Sequence, residues 1–401
     1  MDYQRPNRFV YALAQAASWV LATFVFRRKF LRNEIRGKDG PFVVIANHQA
    51  ALDFVNLIGA TKRPMHFVVS NSFFNTLPVK GLMQKIGVIP KQQFQTEVRD
   101  LMKIKNIIKQ GAPVVIYPAG LMCEDGLSTP IPAATYKFLR WLGTDVYVAR
   151  ASGSYFAMPK WSKGFRPGRT YMDVYQLFSK EELAKTDLET VRAKTDEALL
   201  FDAYREQEEL QVKYAKNHIV EGLEHVLYQC PHCGTEFAMQ VEDGSTLRCD
   251  ACGYAQRSDE YGFLHHCGEV GEEIRYVSDW SRLIYARLKA KIAAGEESAL
   301  EQPVDIRMID FEKNKFVDVG QGTLRLSEGQ FRIEGSIRGE AADLQISTAN
   351  LASLPFKPGK YLEVQDGEHI YRCLPADGRQ VMKYINMVKI YYELDHATQP
   401  V

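Results

Sequence analysis

Apolar and polar positions alternate with two different periods along the first half of the chain. Between residues 42 and about 175, short apolar runs rich in Val, Ile and aromatic residues are separated by segments with helical periodicity. Strands alternating with helices predict an α/β sheet covered by helices, in which functional side chains collect where strands end. The predicted strands are Phe42–Ala46, His66–Val69, Val114–Tyr117 and Val146–Ala149, and the predicted helices are Gln49–Thr61, Leu77–Ile86, Gln95–Gln110 and Ala133–Leu142.

The second half of the chain changes pattern. Residues 181–228 are highly charged and predict a helical connecting arm, with Ser179 as its start signal. From residue 301, short alternating runs with Gly or Asn turns predict about seven strands, followed by a helix from Gly378 to about Leu394. Residues 301–401 are therefore expected to form a small barrel or sandwich. By strand count and terminal helix alone, this domain resembles the pleckstrin-homology (PH) or GRAM-like fold.

An apolar segment near the N-terminus has the character of a membrane-associating helix. Phe9–Phe26 carries no charge over 18 residues, and basic residues flank it on both sides. This length is the lower limit for crossing a bilayer, and basic flanks favour a helix that lies in, or dips into, an anionic leaflet. We expect residues 1–40 to associate with a membrane. The alternative is a buried helix that covers the first domain.

Length and charge limit the remaining possibilities. A chain of 401 residues predicts two or three domains. The net charge of +1, from 50 basic and 49 acidic residues, argues against a nucleic-acid partner, which would require a large positive excess.

Four of the seven cysteines form two Cys-x2-Cys pairs, each followed by glycine, with fifteen residues between the pairs. Two such knuckles can place four thiolates around one Zn²⁺, and a metal with four sulfur ligands is structural. We predict a zinc ribbon over residues 229–258, in a reducing compartment. A redox-active dithiol is the alternative. The predicted zinc ligands are Cys230, Cys233, Cys249 and Cys252.

Residues 259–300 are predicted to contain an amphipathic helix and a linker. The helix covers Ser278–Ala294 and is expected to be capped by its first Ser or Asp. Its basic face is compatible with a membrane anchor, and a helix packed between domains is the alternative.

A histidine and an aspartate in FVVIANHQAALDFVNL are the candidate catalytic residues. His48 follows an apolar strand and Asn47, and Asp53 lies five positions later. Five positions along a continuous helix rotate by about 140°, so the side chains can meet only if Asp53 reaches back across a turn. A carboxylate on one ring nitrogen leaves the other nitrogen free as a general base. Two polar residues lying close by chance remain the alternative.

Four segments in order carry a family resemblance. Asn47-His48-x4-Asp53 after Val-Val-Ile-Ala resembles the first signature of the glycerol-phosphate and lysophosphatidic acid acyltransferase family. GVIPK, VVIYPAG and VYVARASGSY then follow in that family's order, so the resemblance covers residues 1 to about 180. It implies that the histidine deprotonates an acceptor hydroxyl, which attacks an acyl thioester on CoA or acyl carrier protein, while the aspartate supports the histidine.

The resemblance also implies a substrate site, with two departures. The family's third signature reads Phe-Pro-Glu-Gly-Thr-Arg, and here Ala119 and Met122 stand where its Glu and Arg help to hold the acceptor. Glu124 and Asp125 follow soon after and are expected to lie in a solvated loop, with substitution for the missing Glu and Arg as the alternative. Lys91 precedes the place of the second signature's arginine. The expected substrate contacts are Asn47, Lys91, Tyr117, Pro118, Gly120, Lys160 and Arg166, although the last two could also lie in a solvated basic loop.

The expected architecture is an α/β acyltransferase domain over 41–180, then a zinc ribbon, then an all-β barrel-like domain with a C-terminal helix. The expected protein is a peripheral or monotopic enzyme at the cytoplasmic face of the cell membrane, with membrane lipid and an acyl-CoA or acyl carrier protein as partners. A catalytically inactive lipid-binding scaffold of the same fold is the alternative.

Overall fold

The computed structural model describes residues 5–76, 80–91, 98–214, 219–349, 351–367 and 369–397. The starts of the two helices predicted at Leu77 and Gln95 lie outside these residues. The chain divides into two compact units, the first comprising Met1–Pro159 with Phe165–Tyr214 and the second comprising Lys160–Gly164 with Ala215–Val401.

The first unit contains a seven-stranded sheet of order β1-β7-β6-β2-β5-β3-β4. Neighbouring strands are parallel except β6 and β7, which pair antiparallel. All four predicted strands are present, and β2 has the predicted bounds. The strands are β1 (Lys29–Asn33), β2 (Phe42–Ala46), β3 (His66–Ser70), β4 (Ile89–Lys91), β5 (Val114–Ile116), β6 (Asp145–Ser152) and β7 (Tyr171–Phe178).

Helices cover both faces of this sheet, and the central strand β2 is therefore buried along its whole length. Val43 and Ile45 point into one apolar cluster, and Phe42 and Val44 point into another on the opposite face. The helices are α1 (Arg8–Val20), which continues as a π-helical turn (Leu21–Val25), α2 (Asp53–Ile58), α3 (Asn71–Thr76), α4 (Lys80–Lys85), α5 (Val98–Lys109), α6 (Ala134–Leu142), α7 (Ser154–Ala157), α8 (Lys180–Lys185), α9 (Leu188–Leu199) and α10 (Ala203–Leu210).

The predicted connecting arm, residues 181–228, is divided between the two units, and its part up to Tyr214 belongs to the first unit. Leu183 of α8 and Val191 and Leu199 of α9 belong to the same apolar cluster as Val43 of the sheet. The first unit therefore continues to Tyr214, well beyond the expected end at residue 180. The charged residues of this segment lie on the outer faces of the helices. Because they interrupt the run of apolar residues, the buried apolar stripe is not apparent from the sequence.

Helix α1 is bound to the first unit along one face only. The Tyr11 hydroxyl accepts the Met65 N–H at 2.9 Å, and the Gln15 amide donates to the Thr61 carbonyl at 2.9 Å. The opposite face exposes large apolar side chains, including Phe9, Leu13, Trp19 and Phe24. Among the described residues, one helix, Arg8–Val25, is long and apolar enough to cross a membrane by length and composition, and 17% of it is buried.

The second unit contains two sheets and two long helices. A four-stranded sheet has the order β11-β10-β9-β8, and a seven-stranded antiparallel sheet has the order β15-β14-β13-β12-β18-β17-β16. The elements are β8 (Met239–Glu242), β9 (Thr246–Cys249), β10 (Ala255–Ser258), β11 (Leu264–His266), α11 (Val277–Ala293), β12 (Ala299–Asp310), β13 (Lys315–Ser327), β14 (Gln330–Ile337), β15 (Glu340–Ser347), β16 (Phe356–Lys357), β17 (Tyr361–Asp366), β18 (His369–Pro375) and α12 (Val381–Ala397), with 3₁₀ turns at Leu223–His225 and Gly378–Gln380.

Helix α11 differs from its prediction at the N-terminus. It follows Tyr276 without a side-chain cap, and Ser278 is buried in its first turn, so the expected Ser or Asp cap is wrong. Trp280, Ile284 and Leu288 form a buried stripe, and the Trp280 indole donates to the Gln229 carbonyl at 2.9 Å. The apolar face of α11 is thus packed within the second unit rather than available as a membrane anchor.

Candidate functional site

The parallel strands of the first unit end at a common edge of the sheet, where most of the candidate residues lie. Ile45 of β2 pairs with Ile116 of β5, so the segment with His48 and the segment with Tyr117 leave the sheet side by side. Lys91 is the last residue of β4 at the same edge. Ligand sites in open α/β sheets form at such carboxyl edges.

His48 and Asp53 meet across a turn, as their spacing requires. The imidazole Nδ1 lies 3.1 Å from the Asp53 carboxylate Oδ2. The backbone N–H groups of Gln49 and Ala50 donate to the same oxygen at 2.8 and 2.9 Å. Helix α2 begins only at Asp53 because this side chain binds the amides of the residues before it, which leaves the preceding residues as a loop. We name residues 47–53 the catalytic loop after the role that we propose for them.

The pair is arranged for proton transfer at one ring nitrogen. The Asp53 side chain is only 2% exposed, whereas the His48 side chain is 21% exposed, so substrate can reach the imidazole but not the carboxylate. When Nδ1–H donates to Asp53, Nε2 carries a lone pair and can accept a proton from a hydroxyl group.

Tyr117 covers one face of the histidine. The two ring centroids are 4.4 Å apart and the planes are inclined by 33°. Burial, together with the nearby Asp53 carboxylate, raises the pKa of Tyr117 well above its ordinary value, so the phenol stays protonated. Pro118 lies in the turn that follows, where the Gly120 N–H donates to the Tyr117 carbonyl at 3.0 Å and Gly120 adopts a φ of +69°.

Asn47 holds the catalytic loop in place. Its amide donates to the Ala151 carbonyl at 2.8 Å and accepts the Ala151 N–H at 2.7 Å, and the side chain is buried. Both polar atoms of the side chain are thus bound to the backbone of β6 and do not provide the expected substrate contact. Gln49 makes a similar link, because its Oε1 accepts the Tyr155 N–H at 3.2 Å. In the sequence, the one signal for Ala151 and Tyr155 as partners is that both lie in the family-like segment VYVARASGSY.

Glu124 and Asp125 are buried, so the expectation of a solvated loop is wrong. Asp125 accepts the Leu127 N–H at 3.0 Å. Burial, and then the charges of Asp125, Glu124 and Asp53, raise the pKa of the Cys123 thiol well above its ordinary value. Cys123, whose N–H donates to the His48 carbonyl at 3.1 Å, is therefore a protonated structural residue and not a nucleophile.

Lys160 and Arg166, which were expected in one basic segment, belong to different units. Arg166 is buried in the first unit, and burial lowers its pKa to about 10 although the hydroxyls of Tyr155 and Tyr204 favour its charge. Lys160 belongs to the second unit, where its Nζ lies 3.2 Å from the ring centroid of Phe356. Neither residue lies in a solvated loop.

The four cysteines of the second unit converge on one point. All four Sγ atoms lie within 4.8 Å of one another. Cys230 and Cys252 are 3.7 Å apart, and Cys233 and Cys249 are 3.8 Å apart. A tetrahedron with Zn–S bonds of about 2.3 Å has S–S edges of roughly 3.8 Å, so the arrangement fits a metal ion of this size.

Each knuckle turns at a glycine and is bound by an arginine. Gly234 and Gly253 have φ angles of +76° and +78°, and each follows its knuckle's second cysteine. The Arg287 guanidinium donates to the carbonyls of Cys230 and Pro231 at 3.1 and 2.7 Å. Arg248 donates to the Gly253 carbonyl at 3.3 Å.

Comparisons with known proteins concern the first unit. Residues 26–155 match the family model described as Acyltransferase. The chain is 27% identical over 144 residues to a chloroplastic 1-acyl-sn-glycerol-3-phosphate acyltransferase, BAT2, of Brassica napus, which covers 34% of this chain and 41% of that protein. It is 27% identical over 129 residues to the chloroplastic 1-acyl-sn-glycerol-3-phosphate acyltransferase LPAT1 of Arabidopsis thaliana, which covers 31% of this chain and 36% of that protein.

Among solved structures, the crystal structure of the 1-acyl-sn-glycerophosphate acyltransferase PlsC from Thermotoga maritima matches with 20% identity and a TM-score of 0.41, covering 51% of this chain and 79% of that chain. The chain spans less than half the length of the curated relatives it matches. The matched segment, residues 26–155, includes the whole catalytic loop but ends before α8, α9 and α10.

Proposed function

We propose that this protein is an acyltransferase that moves an acyl chain from acyl-CoA or acyl carrier protein to a hydroxyl of a lysophospholipid-type acceptor. The observation that carries this proposal is the His48–Asp53 contact at the carboxyl edge of the sheet, with Nε2 left to accept a proton. The relatives that match this segment are named 1-acyl-sn-glycerol-3-phosphate acyltransferases, which supports 1-acylglycerol-3-phosphate as the acceptor class.

In the proposed reaction, the acceptor hydroxyl gives its proton to His48 Nε2 while its oxygen attacks the thioester carbonyl. Asp53 stabilises the imidazolium that forms. The tetrahedral intermediate then collapses, the carbon–sulfur bond breaks, and the leaving thiolate takes the proton from the imidazolium. The products are an ester and a free thiol. No acyl-enzyme is required, in agreement with the buried and protonated state of Cys123.

Recognition of the acceptor must differ from the family's usual pattern because Ala119 and Met122 replace the Glu and Arg of its third signature. We assign the contact with the acceptor phosphate to Lys91, which ends β4 at the same edge as His48. An ammonium group binds phosphate as a point charge. Arg166 is buried in the first unit and Lys160 belongs to the second unit, so we assign the phosphate contact to neither of them.

Membrane association is assigned to α1. Tyr11 and Gln15 bind one face of the helix to the first unit, so Phe9, Trp19 and Phe24 on the other faces are available to lipid. A helix bound in this way lies in the interface rather than across the bilayer. The proposed location is the cytoplasmic face of the cell membrane, with peripheral or monotopic attachment.

We assign a structural Zn²⁺ to the four cysteines, since four thiolates fill a tetrahedron and leave no position open for a substrate. The seven-stranded sheet with α12 is assigned as a PH/GRAM-like docking module for lipid or protein.

The activity is tested on the full chain with acyl-CoA or acyl carrier protein thioesters and a panel of lysophospholipids that includes 1-acylglycerol-3-phosphate. We expect thiol release that His48→Ala reduces by about 100- to 10,000-fold, the range of general-base catalysis. His369→Ala is the matched control, because this histidine is exposed in the second unit. Absence of thiol release with every acceptor, together with vesicle binding that His48→Ala leaves unchanged, would overturn the proposal in favour of a lipid-binding scaffold.

A further inference from the structure

We propose that α10 acts as a brace that positions the catalytic loop, and that Tyr204 is its principal residue. The turnover part of this proposal rests on the proposed acyltransferase function, whereas the structural part does not.

Two segments of the first unit hold the catalytic loop. The segment after β5 binds it through the Cys123 N–H, which donates to the His48 carbonyl at 3.1 Å. The end of β6 and the start of α7 bind it through Ala151 and Tyr155, which hydrogen-bond to the side chains of Asn47 and Gln49. The position of His48 therefore depends on how these two segments are placed.

Helix α10 is attached to the first of these segments by its backbone. The Ala203 N–H donates to the Gly126 carbonyl at 2.8 Å, and just before α10 the Phe201 carbonyl accepts the Ser128 N–H at 3.1 Å. A Cβ at Gly126, where φ is +88°, would lie 3.0 Å from the ring of Tyr204. This glycine is required for the ring to pack directly against the backbone.

The helix is attached to the second segment by side chains. The Glu206 carboxylate binds the Arg150 guanidinium at 2.6 Å, one residue before the Ala151 that Asn47 binds. The Tyr204 ring packs edge-on against Tyr155 and Phe156, with centroids 5.7 and 5.0 Å away. Such edge-to-face aromatic pairs stabilise a contact beyond the burial of their surface.

Tyr204 thus lies against both segments at once. Its hydroxyl is 3.4 Å from the Tyr155 hydroxyl, near the limit of a hydrogen bond. Burial raises the pKa of Tyr204 above its ordinary value, which keeps the phenol neutral. Loss of the ring would leave a cavity between the segments and allow the catalytic loop to move.

This role is absent from the sequence signatures because α10 lies outside residues 26–155. A displacement of about 1 Å at a catalytic group can cost roughly 100-fold in rate. The brace should consequently affect kcat, through the placement of His48, and leave KM nearly unchanged. Tyr204 and Glu206 act through the segments that hold the catalytic loop, so they are positioning residues.

The experiment compares Tyr204→Leu with Tyr136→Leu in the full chain. Tyr136 is a matched control because it is also a buried tyrosine on a helix of the first unit, with its hydroxyl bound to Asp196 of α9. Both variants should lose similar stability. We expect Tyr204→Leu alone to speed hydrogen exchange of the Gln49 and Ala50 amides, which bind Asp53, and to lower kcat by roughly 10- to 100-fold. Tyr204→Phe should restore most of both.

Glu206→Gln provides a second test if Tyr204→Leu does not fold. It keeps the shape of the side chain and removes its charge, and we expect faster exchange of the Ala151 amide that donates to Asn47. Equal exchange at Gln49 and Ala50 in both Tyr→Leu variants, or an unchanged Ala151 amide in Glu206→Gln, would overturn the brace. If the wild-type protein shows no turnover with any acceptor, the proposed function fails while the exchange measurements still decide the brace.

Discussion

The catalytic loop and the cysteine cluster present their functional atoms from short turns but are held in different ways. The four cysteines lie within residues 230–252, and their sulfur atoms already have the spacing that a single ion would impose. The catalytic loop instead depends on Cys123, Ala151 and Tyr155, which come from two distant segments of the same unit. A metal ion can hold residues that are close in sequence in a fixed arrangement. A loop that binds no ion must instead be held by hydrogen bonds from distant segments of the same unit.

The largest effect should follow removal of the proposed metal. Arg287 binds the carbonyls of Cys230 and Pro231, and Lys383 of α12 binds Glu236, so both long helices of the second unit are attached to the first knuckle segment. Structural zinc contributes an apparent ~10 kcal/mol or more to folding. Chelation or Cys252→Ser should expose the amides of α11 and α12 to exchange and leave those of the catalytic loop protected.

The control for the metal is Cys267→Ser, since Cys267 is exposed and lies outside the four-cysteine cluster. Metal analysis should give about one zinc per chain in the wild type and in this control. Full protection of α11 after chelation would contradict the assignment and would remove the difference between the two sites.

The next largest effect should come from Asp53, whose carboxylate binds the backbone amides of the catalytic loop. Asp53→Asn retains an oxygen that can accept the Gln49 and Ala50 amides, but the neutral side chain cannot stabilise an imidazolium and favours the wrong tautomer. We expect turnover to fall by roughly 10³- to 10⁴-fold. Turnover within tenfold of wild type, with the two amides still protected, would show that Asp53 only shapes the loop.

Support of the loop by Asn47 should have a smaller effect, on stability. Asn47→Ala leaves the buried N–H and C=O of Ala151 without their partners, which should cost about 2–4 kcal/mol in the unfolding free energy of the first unit. Asn33→Ala, which removes one bond to the Ala60 carbonyl, is the matched control and should cost about 1 kcal/mol. Equal losses in urea unfolding would contradict a special role for Asn47.

The smallest effect is the pH dependence of the stability of the first unit that arises from His66, whose imidazole contacts the segment leading to Lys91. Burial lowers the pKa of His66, and the hydrogen bond to the Gly87 carbonyl, 2.7 Å away, opposes this shift. On acidification the unfolded chain therefore binds its proton first, and the first unit loses stability below about pH 6.5 until the folded pKa is passed. The slope is at most ~1.4 kcal/mol per pH unit, and His66→Gln should abolish it. An identical pH profile in that variant would contradict this origin.

The parts of the fold that sequence reasoning predicts well are those with a local cause. Phe42–Ala46 is a strand with the predicted bounds because five consecutive apolar residues are buried on both faces of the sheet. The four cysteines converge because each knuckle closes within a few residues. The helix expected from Gln49 begins only at Asp53, because that side chain binds the amides that a longer helix would have used.

The parts that escape prediction depend on distant partners. β1 is only partly buried and is read from the sequence as a basic flank, although it pairs with β7 at the edge of the sheet. The apolar stripe of α9 is interrupted by charged residues, and nothing local distinguishes Tyr204 from a tyrosine on a solvated helix. The position of such residues becomes evident only when the fold brings their distant partners to them.

The ring of Tyr117 over His48 has a consequence for the competition between transfer and hydrolysis. Tyr117 covers one face of the imidazole and Asp53 occupies the Nδ1 side, so a hydroxyl must reach the Nε2 lone pair along the ring edge or from the other face. A base with access restricted in this way favours a hydroxyl that is already bound and aligned over a freely diffusing water molecule. Such an enzyme would keep its thioester intact while no acceptor is present.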